Sequence, residues 1–170
     1  MEEKDYWIAY SVFPGIGPVR FKLLLDYFGS AQKAWEAPVS KLKDLHLGEK
    51  LTNEFAEFRK SYGIDSYLQE LKEKKVSVLT LQDTRYPELL KKISDPPFVL
   101  YIKGKPAYVE TSAGKREKVP LDLKKTIGVV GTRKITNYGA EVTKRLVTEL
   151  VSHGFTIVSG LAYGVDSIAH

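Results

Sequence analysis

The chain has 170 residues, 43% of them hydrophobic, no cysteine and a formal net charge of +5. That length holds one ordinary domain or two small ones, and that apolar content excludes disorder throughout. No run approaches the roughly 18 apolar residues of a membrane span, the opening MEEKDYWIAYSVF is not a secretory signal, and disulfide or thiolate chemistry is excluded, so a cytoplasmic setting is expected.

Up to residue 64 the pattern is one of short helices. Tyr6, Ala9, Val12 and Phe13 form one apolar stripe. Phe21, Leu24, Leu25 and Phe28 form the next, stopped by Gly29, with Ser30 as the following N-cap. A third helix takes in Ala34 and Trp35, and a fourth Leu51, Phe55 and Phe58. Trp7 and Trp35 fall at apolar helical positions and are expected in the core. Between the first two helices, Pro14-Gly15-Ile16-Gly17-Pro18 followed by Arg20 has the make-up of a helix–hairpin–helix turn. Such a turn can hold one nucleic-acid phosphate on its amides, or it can merely reverse the chain. Leu45-His46-Leu47-Gly48-Glu49 reads as a degenerate second copy, in which Glu49 would repel a phosphate. Residues 1–75 carry twelve basic and twelve acidic side chains, which favours the packing reading for both turns. Residues 65–75 read as a linking helix with Tyr67, Leu68 and Leu71 on its apolar side.

The character then changes. Residues 76–81, 98–102, 126–130 and 155–158 are β-prone, and 139–152 is an amphipathic helix between the last two. Short apolar strands on either side of a helix imply a βαβ unit in a parallel sheet. A further helix begins near Gly164 and is still running at His170, so the chain reads as a piece of a longer protein. The fold class expected is α/β, a partial parallel sheet over residues 65–170, preceded by a small all-α domain over residues 1–64.

The charge follows the same division. Residues 76–170 hold fourteen basic and nine acidic side chains, and 103–134 alone hold nine Lys or Arg against three acids. That excess can attract polyanions or simply solvate a basic loop. Strand 126–130 runs into Gly131-Thr132-Arg133, and strand 155–158 into Ser159-Gly160-Leu161-Ala162-Tyr163-Gly164. In a parallel sheet both turns share the carboxyl edge, where open α/β sheets bind ligands. Gly131, Gly160 and Gly164 allow close backbone approach to an anion, Thr132 and Ser159 add hydroxyls, and Arg133 offers a bidentate fork. Asp166 sits early in the second helix, where an acid suits the dipole and can cap or orient the loop. Tyr138 and Tyr163 lie in the same loops and could stack on bases. Neither turn matches the dinucleotide fingerprint or carries a P-loop lysine. His46, His153 and His170 lack metal-ligand spacing, and no catalytic triad or carboxylate pair is visible, so neither a metal, a cofactor nor a catalytic residue is expected.

These residues resemble one family in particular. Tyr86-Pro87-Glu88-Leu89-Leu90, Asp95-Pro96-Pro97, Val99-Leu100-Tyr101 and Gly104 are followed by Gly131-Thr132-Arg133, Tyr138-Gly139, the run 158–166 and Ala169-His170. That succession resembles the DprA/Smf family of DNA-processing proteins across about residues 76–170. The resemblance implies an extended Rossmann-like fold, with a helical SAM-like domain before it. It also implies a non-enzymatic protein of natural transformation that protects incoming single-stranded DNA and loads RecA recombinase, working at full length as a homodimer. Its phosphate loop matches Gly131, Thr132 and Arg133, its helix-start glycine Gly139, and its second glycine-rich loop Ser159, Gly160 and Gly164; Ala162 and Asp166, in the same run, complete the candidate DNA- and phosphate-binding residues. The polar connection 105–125 is longer than the family pattern. The alternative is a phosphoribohydrolase-type enzyme on a related fold, but this chain has no Pro-Gly-Gly loop and offers Asp166 where such enzymes use a glutamate.

Overall fold

Aromatic side chains spread along the first hundred residues converge on one core. The computed structural model describes residues 1–104, 108–110, 116–118 and 125–170, and it divides into two units, Met1–Pro106 and Ala107–His170.

In the first unit, helix α1 (Glu3–Val12) supplies Trp7 and Tyr10, and α2 (Pro18–Phe28) supplies Phe21 and Leu24, each 2% exposed or less. Gly29 ends α2 at φ +83°, donating its N–H to the Leu25 carbonyl, and Ser30 Oγ accepts from Lys33 N at 3.1 Å to start α3 (Ala31–Glu36). The expected stop and start are therefore both present. Trp35 of α3 meets Tyr10 edge-on at 5.2 Å. After the short α4 (Val39–Lys43), α5 (Glu49–Ser61) brings in Phe55, which stacks on Tyr10 at 5.2 Å and takes Trp35 edge-on at 5.3 Å. Arg59 ties α5 to the end of α3 by donating to the carbonyls of Trp35 and Ala37.

Between α1 and α2 the chain reverses as the hairpin composition predicts. Gly15 takes φ +107° with Leu51 packed where a side chain would stand. Arg20 Nη1 donates back to the Gly15 carbonyl at 2.6 Å, so this cation braces the turn. Ile16 is buried beneath it.

Helix α6 (Ile64–Glu73) lays Ile64 and Leu71 against Ile8 and Ala9 of α1. Strand β1 (Val76–Thr80) follows, then α7 (Glu88–Lys91) and strand β2 (Val99–Lys103), which pairs antiparallel with β1 from Val76↔Lys103 to Thr80↔Val99. Phe98, just before β2, stacks on Phe21 at 4.1 Å. Residues 65–104, which the sequence reading attaches to the Rossmann-like part, thus share a core with the helices. The compact units divide at 106/107 and not at 64/65. The physical reason is that α6 and the strand pair each have an apolar face that the helices cover.

The second unit begins with β3 (Tyr108–Glu110) and β4 (Arg116–Lys118), antiparallel partners within the long connection noted above. Apart from Lys125, the rest of that connection lies outside the described residues. Strand β5 (Thr126–Gly128), helix α8 (Asn137–Ser152) and strand β6 (Thr156–Val158) form the expected βαβ unit, with β5 and β6 parallel from Thr126↔Thr156 to Gly128↔Val158. A bond from Val129 N to Val158 O at 2.9 Å continues the pairing. Helix α9 (Val165–Ala169) packs on α8. The α/β, partial Rossmann-like expectation is borne out in this parallel pair. No described helix is long and apolar enough to cross a membrane.

Candidate phosphate-binding edge

Parallel pairing sends β5 and β6 out of the sheet on the same side, so the turns that follow them meet. Val165 N, opening α9, donates to the Thr132 carbonyl at 3.2 Å. A Cβ on Gly131 would lie 2.5 Å from Val165 Cγ2, and a Cβ on Gly164 would lie 2.8 Å from Arg133 Cα. Gly164 also has φ +91°, a conformation glycine adopts without strain. Two glycines therefore let the turns interlock.

Each loop is held by its own side chains. Thr132 Oγ1 accepts from Lys134 N at 3.1 Å, closing a tight turn that leaves Arg133 at its apex. Arg133 is exposed and has no hydrogen-bond or ion-pair partner among the described residues. In the second loop Asp166 is 5% exposed and its Oδ2 accepts from Gly160 N at 3.0 Å. Ser159 Oγ accepts from Leu161 N at 3.3 Å and donates to the Asp166 carbonyl at 3.4 Å. Leu161 is thereby kept at φ +50°, unusual for a branched side chain. Ala162, half-buried, sits between Leu161 and Tyr163, which are 67% and 86% exposed.

Eight of the nine sequence-predicted residues belong to these interlocked turns. The ninth, Gly139, lies in the first turn of α8, where its N–H donates to Thr136 Oγ1 at 3.1 Å. Thr136 is the N-cap of α8, so the helix opens at Asn137, two residues before the expected start. A threonine just ahead of an apolar-periodic segment is the sequence cue for that cap. The amides of Asn137 and Tyr138 have no intrahelical acceptor at this position and are available to an anion. Sequence reasoning also missed Val165 as the residue filling the space above Gly131. Gly160 and Asp166 serve each other, while Arg133, Tyr138 (77% exposed) and Tyr163 are among the side chains facing solvent at this edge. Among the described residues no cluster of side chains suited to a metal ion occurs.

Chemically, the edge combines a guanidinium at a turn apex, free helix-opening amides and two exposed tyrosines on a braced backbone. Such a set suits a phosphate chain with unstacked bases.

Comparison with known proteins gives the chain relatives of one kind. It is 36% identical over 169 residues to Protein Smf of Synechocystis sp., covering 99% of this chain and 40% of that protein. It is 35% identical over 120 residues to DNA processing protein DprA of Bacillus subtilis, covering 71% of this chain and 36% of that one. The chain thus spans less than half the length of these relatives. Its fold is similar to the X-ray structure of DNA processing protein A from Streptococcus pneumoniae, with TM-score 0.57 and 24% identity over 99% of this chain and 52% of that one. The profile of the family described as DNA recombination-mediator protein A matches residues 77–170, from β1 through the interlocked turns to the last residue of the sequence. The chain belongs to the DNA recombination-mediator protein A family.

Proposed function

We propose that the second unit holds single-stranded DNA by its phosphates, as the gripping part of a DNA-processing protein that passes the strand to RecA recombinase during natural transformation. The observation that carries this reading is the interlocked pair of turns with Arg133 unpartnered at the apex. The basic excess over residues 103–134 and the family of the chain support it further. The grip is sequence-independent, because an arginine and backbone amides read phosphate and not base edges. In this reading the protein holds DNA without chemistry on it; the missing Pro-Gly-Gly loop, and Asp166 in place of a glutamate, count against the phosphoribohydrolase alternative. The whole protein acts in this scheme as a homodimer, with RecA as its partner.

The test is fluorescence anisotropy with a labelled single-stranded oligonucleotide and its duplex across a salt series, beside a screen of free mononucleotides for hydrolysis. Tighter binding to the single strand, weakening as salt rises, is the expected outcome. Mononucleotide hydrolysis, or equal binding to duplex, would sink the proposal.

A further inference from the structure

The first unit carries a cleft of about 580 Å³, lined only by residues of that unit. A space of that size seats a small molecule or a few side chains. Its floor is aromatic: Trp7, Phe21 and Phe98, each at most 7% exposed. One wall is α2, with Val19 and Lys22; the other runs from Lys91 of α7 through Ile93 to Pro96. Both walls are fixed. Tyr86, itself 2% exposed, donates its hydroxyl to the Pro97 carbonyl at 2.7 Å, and the stack of Phe98 on Phe21 joins that segment to α2. At the mouth two aliphatic side chains are left in water, Val19 at 72% and Ile93 at 46% exposure.

Charge distinguishes the possible occupants. Lys22 and Lys91 stand on opposite walls, and neither has an ion-pair partner among the described residues. Among the described lining residues Asp95 is the one carboxylate, and it already accepts from Ser94 Oγ at 3.1 Å. The geometry points to a docking site for an acidic peptide segment that carries a large apolar side chain. That side chain fills the space above the aromatic floor, and flanking carboxylates meet Lys22 and Lys91. An apolar anchor ringed by complementary charge is how compact peptide sites combine affinity with orientation. A nucleic-acid strand suits the cleft less well. The carboxylate of Asp95 on the lining opposes a phosphate.

The test uses the whole chain and a synthetic peptide of three aspartates followed by leucine and phenylalanine. The chain has two tryptophans, of which Trp7 lines the cleft and Trp35 does not, so their indole N–H resonances form an internal pair of reporters. Titration is expected to move the Trp7 resonance and leave that of Trp35 in place. Lys22→Glu combined with Lys91→Glu is expected to weaken binding at least about tenfold, and Val19→Asp, a change at a water-exposed position, to do likewise. Three results overturn the inference: an unmoved Trp7 resonance, equal binding by a peptide with asparagines in place of the aspartates, or charge reversal without effect. Displacement of the peptide by a single-stranded oligonucleotide, with Trp7 still responding, also overturns it and assigns the cleft to nucleic acid.

Discussion

Gly164 presses against the carbonyl of Thr132: a Cβ there would overlap that oxygen and stand 2.8 Å from Arg133 Cα, while the neighbouring Val165 N–H bonds to the same carbonyl. The two turns are therefore one mechanical piece, and the point where they meet is a residue without a side chain. Gly164→Ala meets both a backbone clash and φ +91°. It should destabilise the second unit by at least about 2 kcal/mol, the scale of severe backbone substitutions. Urea denaturation followed by hydrogen exchange should place the loss in β5, α8 and β6 and spare the first unit. A variant as stable as the parent would mean the turns do not interlock.

Arg133, exposed and without a partner among the described residues, can be removed without touching the fold, so it tests the proposed grip directly. Arg133→Ala should lower affinity for a single-stranded oligonucleotide several-fold and make the slope of log affinity against log salt shallower by about one phosphate contact. Unchanged binding by a folded variant would remove the arginine from the interface.

Asp166 plays a different part, since its carboxylate is turned inward to Gly160 N. Asp166→Ala should cost about 1–3 kcal/mol by leaving that N–H unpaired, and Asp166→Asn less, because an amide oxygen can still accept. Faster hydrogen exchange at Gly160 in the alanine variant is the direct readout. Equal exchange in both variants and the parent would contradict the bond.

In the first unit Asp83 is a carboxylate whose environment ties stability to pH. Burial pushes its carboxyl pKa up, but bonds from the Thr80 N–H, Lys4 Nζ and Thr80 Oγ1 outweigh this and hold it below the ordinary value. A depressed carboxyl stabilises the fold above its unfolded pKa, about 3.9, and that contribution is lost as pH falls further through the folded value. Asp83→Asn should therefore flatten the decline in urea midpoint below about pH 4. A decline as steep as the parent's would assign the acid sensitivity elsewhere.

Tyr10 is fully buried, and its hydroxyl has no hydrogen-bond partner among the described residues. Burial, the largest influence, drives its pKa far above the ordinary phenol range. Tyr10→Phe keeps the rings against Phe21, Trp35 and Phe55 and removes an unsatisfied oxygen, so the melting temperature should stay level or rise. A clear fall would reveal a partner for the hydroxyl.

What the sequence made legible was the local chemistry. Gly29 followed by Ser30 reads as stop and start because a left-handed cap and a side-chain N-cap each act within a few residues. The parallel pairing of β5 with β6 could be read from apolar strands flanking one amphipathic helix. Long-range partnerships were less accessible. Nothing in the run 76–81 or 98–102 says that these strands pair with each other over the helices, since register and partner are settled by distant apolar faces. At the site, the residues could be named but not their division of labour. That Asp166 turns inward while Arg133 points to water depends on how the two turns interlock, a property of the assembled sheet.

Phe98 stacked on Phe21 bears on how this protein can be cut and recombined. The helices are not a transferable cassette. A piece ending at residue 64 would lose the ring that covers Phe21 and Trp7, and with it the strands over Ile8 and Ala9. Such a piece would expose its core and aggregate. Chimaeras that exchange the helical part between relatives should carry the strand pair through Lys103, so that both rings come from the same parent.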